Sequence, residues 1–324
     1  MILLASLLAL AAAPLEPAQA ARNASRQAAA GDAAPAGAPK TPADAVAAAP
    51  AAAWEAIAAE DLLVMTLAPD AAGRPRRVVI QLVPAPVSAA WVGNIRALAT
   101  ARWWDGTSIN RVQDNYVVQW GDATEKKPLP SGLSATREAG YTVPRELAQA
   151  GAAATKAMGP QNGISRWEGF YRGFPVAAEG TPDSVSTWPT HCYGSVGVGR
   201  NESPDAGTGA ELYAVIGHAP RQLDRNIAVV GRVIEGIEHL ASLPRGTEAL
   251  GFYATAAERV PIASLRLASE LSAAARPRFE QMRTGSDVFA DYVRLRANRK
   301  DDFYILPAGW ADVCNVPVPV RRAK

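Results

Sequence analysis

"RRVVIQLVPAPVSAAWVGNIRALATARWWDGTSINRVQDNYVVQWGD", residues 76–122, changes its hydrophobic period twice. The stretch 76–83 reads as a strand. Val87, Trp91, Ile95 and Leu98 then recur at helical spacing, with Pro86 and Ser88 near the start, which predicts a helix that Trp104-Asp105-Gly106 ends. "SINRV" (108–112) and "YVVQWGD" (116–122) read as short strands about a Gln-Asp-Asn turn. One residue resists this pattern. Arg111 stands in an apolar strand, with an aromatic five residues on and a glutamine eight on. A guanidinium is costly on a sheet that faces a core unless it has a partner or a task. By itself, the residue suits a salt bridge to Asp105, Asp114 or Asp122. In period-two strands Ile109, Arg111 and Gln113 share one face, and Val117 and Gln119 share a face of the next. A tight turn would bring Arg111 and Gln119 together.

Working outward, "LLVMTL" (62–67) is a strand joined to 76–83 through a turn at Gly73-Arg74-Pro75. Further strands are read at 192–200, 211–217, 227–234 and 261–269, and a second helix at 235–244. About eight short strands with two helices predict a mostly β fold: a closed antiparallel eight-stranded barrel capped by the helices. Residues 123–190 are rich in Pro and Gly but carry Trp167, Phe170, Tyr171, Phe174 and Trp188. Such a cluster is expected to pack on the main body as an insertion. Residues 271–324 form a C-terminal extension. A charged amphipathic helix is expected over about 270–299, with Leu271, Phe279, Met282, Phe289 and Val293 inward, followed by a proline-bearing extended tail. No internal repeat is evident.

The chain has 324 residues, with 33 basic and 31 acidic side chains, for a net charge of +2. So small an excess argues against nucleic acid as a partner. "ILLASLLALAAA" near the start reads as an export signal, followed by a small-x-small site that predicts cleavage after Ala20 and a periplasmic chain with no membrane span when mature. An uncleaved anchor is the alternative. Residues 21–53 are Ala- and Pro-rich and read as a disordered linker, with Trp54 opening the globular part, 54–270. Two cysteines in an oxidising compartment, Cys192 and Cys314, read as a disulfide, against two buried free thiols. His191, His218 and His239 fit no metal-ligand spacing and read as structural, so neither metal nor cofactor is implied. A hydrolase built on Ser195 or His218 lacks acid–base spacing.

Residues 76–122, together with "GTGAELYAVIGHAPRQLDRNIAVVGRVIEG" (207–236), resemble the cyclophilin family of peptidyl-prolyl cis–trans isomerases. The first stretch is similar to that family's strand, helix and arginine-bearing strand pair. The second is similar to its substrate strand, Leu-Asp turn and Gly-x-Val-x-x-Gly passage. The likeness covers roughly 60–270, interrupted by 123–190. It implies that Arg111 is the catalytic arginine, that Gln119 orients it, and that Tyr116 and Val117 floor a proline pocket. By the same likeness Leu212 and Ala214 form a second wall, Gln222 and Leu223 a rim, and Ile227 a further rim position. The family commonly has phenylalanine at the place of Tyr116, glutamine at Leu212, phenylalanine at Ala214, tryptophan at Gln222 and histidine at Ile227. On this register Ala214 enlarges and softens the pocket.

Two functions follow. One is an isomerase acting on proline-containing segments of unfolded or exported proteins. The other is a catalytically weak peptide-binding or scaffold protein of the same fold.

Overall fold

The computed structural model describes residues 41–144, 147, 165–181 and 184–323; the predicted signal and most of the linker lie outside them. The chain begins with helix α1 (Pro42–Ala47) and strand β1 (Trp54–Ala56). Strands β2 (Leu62–Leu67) and β3 (Arg76–Leu82), helix α2 (Ala89–Thr100), and strands β4 (Ser108–Val112) and β5 (Val117–Gly121) follow. Next come β6 (Trp167–Tyr171), β7 (Phe174–Thr181), β8 (Ser184–Pro189), β9 (Ser195–Val198), β10 (Leu212–Val215) and β11 (Val229–Glu235). Helix α3 (Glu238–Ala241), strands β12 (Val260–Leu267) and β13 (Phe279–Met282), helix α4 (Asp287–Ala297) and strand β14 (Val320–Arg322) complete it.

Eight strands close into an antiparallel barrel in the order β10-β5-β4-β12-β2-β3-β11-β9. Period-two side chains fill it. Leu63, Met65 and Leu67 of β2 and Val78, Ile80 and Leu82 of β3 point inward, with Ile109, Val112, Val118 and Trp120 from the β4–β5 pair. The β2–β3 turn is set by Asp70, whose carboxylate accepts from the backbone N–H of Ala72 and Arg74, and by Gly73 at φ 75°. The helical spacing read in the sequence holds: Val87, Trp91, Ile95 and Leu98 are all buried in the barrel core. Helix α3 adds Leu240 to that core.

The opposite faces of β2 and β3 are not wet. Leu62, Val64 and Val79 are covered by Ala268 and Phe279. Phe279 belongs to a second sheet, β1-β13-β14, and here the structure departs from the expected long helix. Pro277 interrupts any helical hydrogen-bond ladder, and Phe279 and Met282 lie in a strand; the helix is confined to α4, capped by the Ser286 side chain on the Phe289 N–H. Phe289, Tyr292 and Val293 then pack with Trp54, Met282 and Phe170 in a separate core.

Residues 41–53, expected as disordered linker, are ordered. Thr41 and Asp44 form a reciprocal capping box around Pro42, and Val46 and Ala53 pack into that second core.

The segment 123–190 supplies a three-stranded sheet, β6-β7-β8, in its described part. Phe170, Phe174 and Trp188 are buried, as the aromatic composition predicts, whereas Trp167 is 37% exposed and lies under the Arg166 guanidinium instead.

Cys192 and Cys314 form a disulfide across 122 residues, tying the tail after α4 to the start of β9. Replacing both by serine is expected to cost at most about 4–5 kcal/mol, the chain-entropy value for so long a loop. The denaturation midpoint without reductant measures it; an unchanged midpoint would mean that packing alone holds the tail.

Candidate active site

The β4–β5 hairpin carries the candidate residues. Its turn is closed by hydrogen bonds from the Gln113 N–H to the Val117 carbonyl and from the Tyr116 N–H to the Gln113 carbonyl, with Asn115 at φ 50°. Pairing shifts between Ile109 and Arg111: Ile109 faces Trp120, and Arg111 faces Gln119. This bulge breaks the shared face expected of Ile109 and Arg111. Ile109 is fully buried inside the barrel, while Arg111 turns outward.

Arg111 is held by neutral groups. Its Nη1 donates to Gln119 Oε1 at 3.1 Å, its Nε to the Leu250 carbonyl at 2.7 Å, and its Nη2 to Gln113 Oε1. Its Cζ lies 5.6 Å from the Tyr116 ring centroid and 5.5 Å from that of Phe252. The salt-bridge reading fails at each carboxylate. Asp105 binds Arg266, Asp114 binds Arg245, and Asp122 accepts the backbone N–H groups of Thr124, Lys126 and Lys127. Partial desolvation lowers the Arg111 pKa from its usual value, with the Tyr116 and Tyr213 hydroxyls acting the other way. The guanidinium faces a cleft of about 620 Å³ that runs past Gln119, Gly199, Thr208 and Glu211 and is bordered by Leu250 and Phe252.

Beside it lies an apolar surface. Strand β10 pairs with β5 so that Tyr213 stands opposite Gln119, and Val215 opposite Val117. Val117, Tyr213 and Val215 form a cluster on which Tyr116, Leu223 and Ile227 pack.

The expected second wall is corrected by one residue. Leu212 and Ala214 are fully buried in the barrel core, because alternation along β10 sends them inward. The outward residues are Glu211, Tyr213 and Val215. The wall therefore has an aromatic ring where the sequence register had Ala214. Gln222 is exposed on the short turn Arg221–Leu223, and it is its carbonyl, accepting from Asn226 Nδ2, that is engaged.

Behind Tyr213 runs a buried polar chain. The Tyr213 hydroxyl meets His191 Nε2 at 2.8 Å, and His191 Nδ1 meets Asp224 Oδ1 at 3.0 Å. Asp224 also accepts from the His191 N–H, from Arg221 Nε at 2.7 Å and from Trp188 Nε1, and Arg221 Nη1 donates to Glu168 on β6. Burial alone would raise the Asp224 pKa, but the His191 hydrogen bond and the Arg221 charge outweigh it and hold the group below its usual value. With Nδ1–H donated to Asp224, His191 Nε2 is the end that accepts a hydrogen bond from the Tyr213 hydroxyl. Burial raises the Tyr213 pKa well above its usual value, so the hydroxyl stays a donor.

His191 is thus a structural histidine. Ser195, raised as a hydrolase candidate, is spent as well: its hydroxyl donates to the Thr190 carbonyl and accepts from the Cys192 N–H.

Two features lay beyond the sequence reading. The Leu250–Phe252 segment reaches Arg111 from far along the chain; its signal is Gly251, at φ 80°, where a Cβ would sit 2.7 Å from the Gln113 Cα. Glu211 stands just ahead of β10, and a single carboxylate before an apolar run carries no local signal of a site.

Residues 71–266 match the family described as cyclophilin type peptidyl-prolyl cis-trans isomerase/CLD. Among solved structures, the chain is similar to the crystal structure of cyclophilin AquaCyp293 from Hirschia baltica, with 21% identity over 84% of this chain and 94% of that one and a TM-score of 0.61. That likeness bears on the fold. A Cryptosporidium parvum cyclophilin type isomerase, solved in the presence of the dipeptide Ala-Pro, covers 63% of this chain and 98% of its own at 11% identity and a TM-score of 0.35, which is too distant to carry an argument. No curated protein matches the chain.

Tyr213→Phe keeps the ring and leaves His191 Nε2 without its donor. The expected cost is about 1–3 kcal/mol, the penalty of a buried polar group left unpaired, read by equilibrium denaturation. A neutral result would mean that the Tyr213–His191 bond does not contribute.

Proposed function

We propose that this chain, which belongs to the cyclophilin-type peptidyl-prolyl cis–trans isomerase family, accelerates rotation about X–Pro bonds in segments of exported proteins, with Arg111 as the catalytic donor. The observation that carries this reading is the unneutralised guanidinium at the cleft. Three of its N–H groups are engaged, all by neutral oxygens. A guanidinium has five, so one remains on each terminal nitrogen.

Rotation about an X–Pro bond is opposed by about 18–20 kcal/mol of amide resonance. No covalent bond need change. In the twisted amide the imide nitrogen regains a lone pair, and a donor aimed at it favours that state over either planar one. Arg111 is charged and fixed, and Gln119 restricts its rotation. Val117, Tyr213 and Val215, with Tyr116 beside them, offer an apolar seat for the proline ring while the preceding carbonyl swings. The Cys192–Cys314 disulfide and the apolar run near Met1 support action in an oxidising compartment, the periplasm, on exported clients.

The test is a proline-peptide exchange assay. Arg111→Ala is expected to lower the rate ten- to several-hundred-fold, roughly 1.4–3.5 kcal/mol, as for loss of a preorganised donor. Arg111→Lys should recover little, since an ammonium does not reproduce the planar fork. Melting temperature should fall little, because the three hydrogen bonds lost lie at a part-exposed site where water replaces the guanidinium, and no ion pair is broken. If the wild type does not exceed the spontaneous rate, the weak binding or scaffold reading replaces this one; the exposed Gln222 and the Ile227 rim are what favour it.

A further inference from the structure

Glu211 lies where the cleft meets Gln119, and nothing in the mechanism above uses it. Its carboxylate lies over Gly121, beside the amide end of Gln119 and the backbone N–H of Asp122, both of which favour its ionised form. Two glycines make room for this contact. A Cβ on Gly121 would fall 1.8 Å from Glu211 Oε1, and one on Gly199 would fall 2.9 Å from the Glu211 Cβ and 3.4 Å from Gln119 Nε2.

An amide side chain has one accepting end and one donating end. Gln119 turns its oxygen to Arg111 Nη1 at 3.1 Å. Its NH₂ is then the end that meets Glu211. The ionised carboxylate only accepts, so it enforces this orientation. A flipped Gln119 would set donor against donor at Arg111 and oxygen against oxygen at Glu211. A protonated Glu211 can instead donate, and the flipped amide becomes tolerable. Arg111 then loses one of its three anchors.

We propose that Glu211 is a positioning residue for the isomerase reaction: its ionised carboxylate fixes the Gln119 amide, Gln119 anchors Arg111, and protonation of Glu211 frees Gln119 and loosens Arg111. This rests on the reading of Arg111 as the catalytic donor.

The surroundings set the pH range. Burial is the largest influence and raises the Glu211 pKa to about 7; Asp122 and Glu125, from the turn after β5, push the same way, against the neighbouring Asp122 N–H and Gln119 amide donors. Arg111 on β4 lies across Gln119. Arg200, after β9, spends its Nε and Nη1 on the carbonyls of Asn226 and Asn201, and Lys127 gives its Nζ to the Asp105 carbonyl. Asp205 accepts from the Asn201 and Gly207 N–H groups, and Arg259 borders the same cleft. Among the described residues, no Lys or Arg forms an ion pair with Glu211.

The experiment measures kcat/KM on a short X–Pro peptide from pH 6 to pH 8, in the wild type, E211Q and E211L. The wild-type value should fall by up to about tenfold on going down through pH 7, as the ionised fraction falls. E211L, which cannot accept a hydrogen bond, should be slow at both ends. E211Q, whose amide donates as well as accepts and so resembles the protonated acid, should stay near the wild-type pH 6 value at both ends and show no inflection. In parallel, the Gln119 side-chain amide signal, followed by ¹⁵N NMR, should titrate near pH 7 in the wild type and not in E211Q. That signal needs no catalysis. A wild type that is inactive, with Gln119 titrating, would overturn the isomerase reading and leave the Glu211–Gln119 coupling standing alone. An active wild type with a flat profile, or an E211Q profile that still bends at pH 7, would overturn the positioning role.

One further readout follows from linkage. The native state binds the Glu211 proton more tightly than the unfolded chain does, so this group's contribution to stability is present at low pH and is lost as pH rises from about 4.5 to 7. E211Q should therefore melt higher than the wild type at pH 8, with the advantage vanishing near pH 5. The same melting difference at both pH values would contradict an elevated Glu211 pKa.

Discussion

The bulge between Ile109 and Arg111 is the constraint on which the site depends. A closed barrel admits only small or apolar side chains inward at each alternate position, and Ile109, Arg111 and Gln113 stand two apart along β4 and the residue that follows it. Regular pairing would commit all three to one face. The extra residue in the ladder separates them, leaving Ile109 in the core and Arg111 opposite Gln119 on the outside. From that point the rest follows locally. Gln119 is on the strand that pairs with β10, so the arginine, its acceptor and the Tyr213 ring fall in adjacent registers.

The inserted sheet is tied to the same place by charge. Asp224 is buried and accepts from His191, Arg221 and Trp188, while Arg221 reaches Glu168 on β6. A carboxylate in a low dielectric is expensive when unpaired, and Asp224 is fully paired, although Arg221 Nη2 is left buried without a hydrogen bond among the described residues. The far end of this chain is the Tyr213 hydroxyl. The insertion thus does more than cover apolar surface. It supplies Trp188 and Glu168 to a network whose last member is a ring of the apolar surface beside Arg111.

What was legible in the sequence was what period alone determines. The alternation of 62–67 and 76–83, the helix carrying Trp91 and Ile95, and the β4–β5 hairpin that brings Arg111 to Gln119 all stood in the residues. Period two fails where register is ambiguous. "ELYAV" is apolar at every position from Leu212 to Val215, so nothing in it says which pair faces in, and the family likeness, one residue out of register here, points to Leu212 and Ala214 rather than to Glu211 and Tyr213. Spacing misled at Phe279 and Met282, where a separation of three suits a helix turn, yet Pro277 and the pairing with β1 make a strand. Low complexity hid the helix at 42–47, whose signal is two side chains, Thr41 and Asp44. The Leu250–Phe252 contact with Arg111 is long-range and has no local signature beyond Gly251.

A second arginine shows why the first is suited to a functional role. Arg232 on β11, like Arg111, is held by neutral acceptors and a ring: its Nε donates to Gln81 Oε1 and its Nη2 to Gln281 Oε1, and Phe174 lies 5.2 Å from its Cζ. Burial drives its pKa down to about 9. Its partners come from β3, β13 and the inserted sheet, so the guanidinium serves as a junction between the barrel and the two added sheets. Gln281 also donates to Glu55 and to the Arg172 carbonyl, which extends the junction to β1. Neutral acceptors hold a guanidinium in place without cancelling its charge, and both arginines use that chemistry. They differ in what surrounds the remaining donors. Arg232 borders only a smaller cavity of about 270 Å³, walled by Pro175, Val233 and Val318. Arg111 has Gln119 on one side, the Leu250 carbonyl on the other, and a cleft in front, so its uncancelled field falls on whatever occupies that cleft.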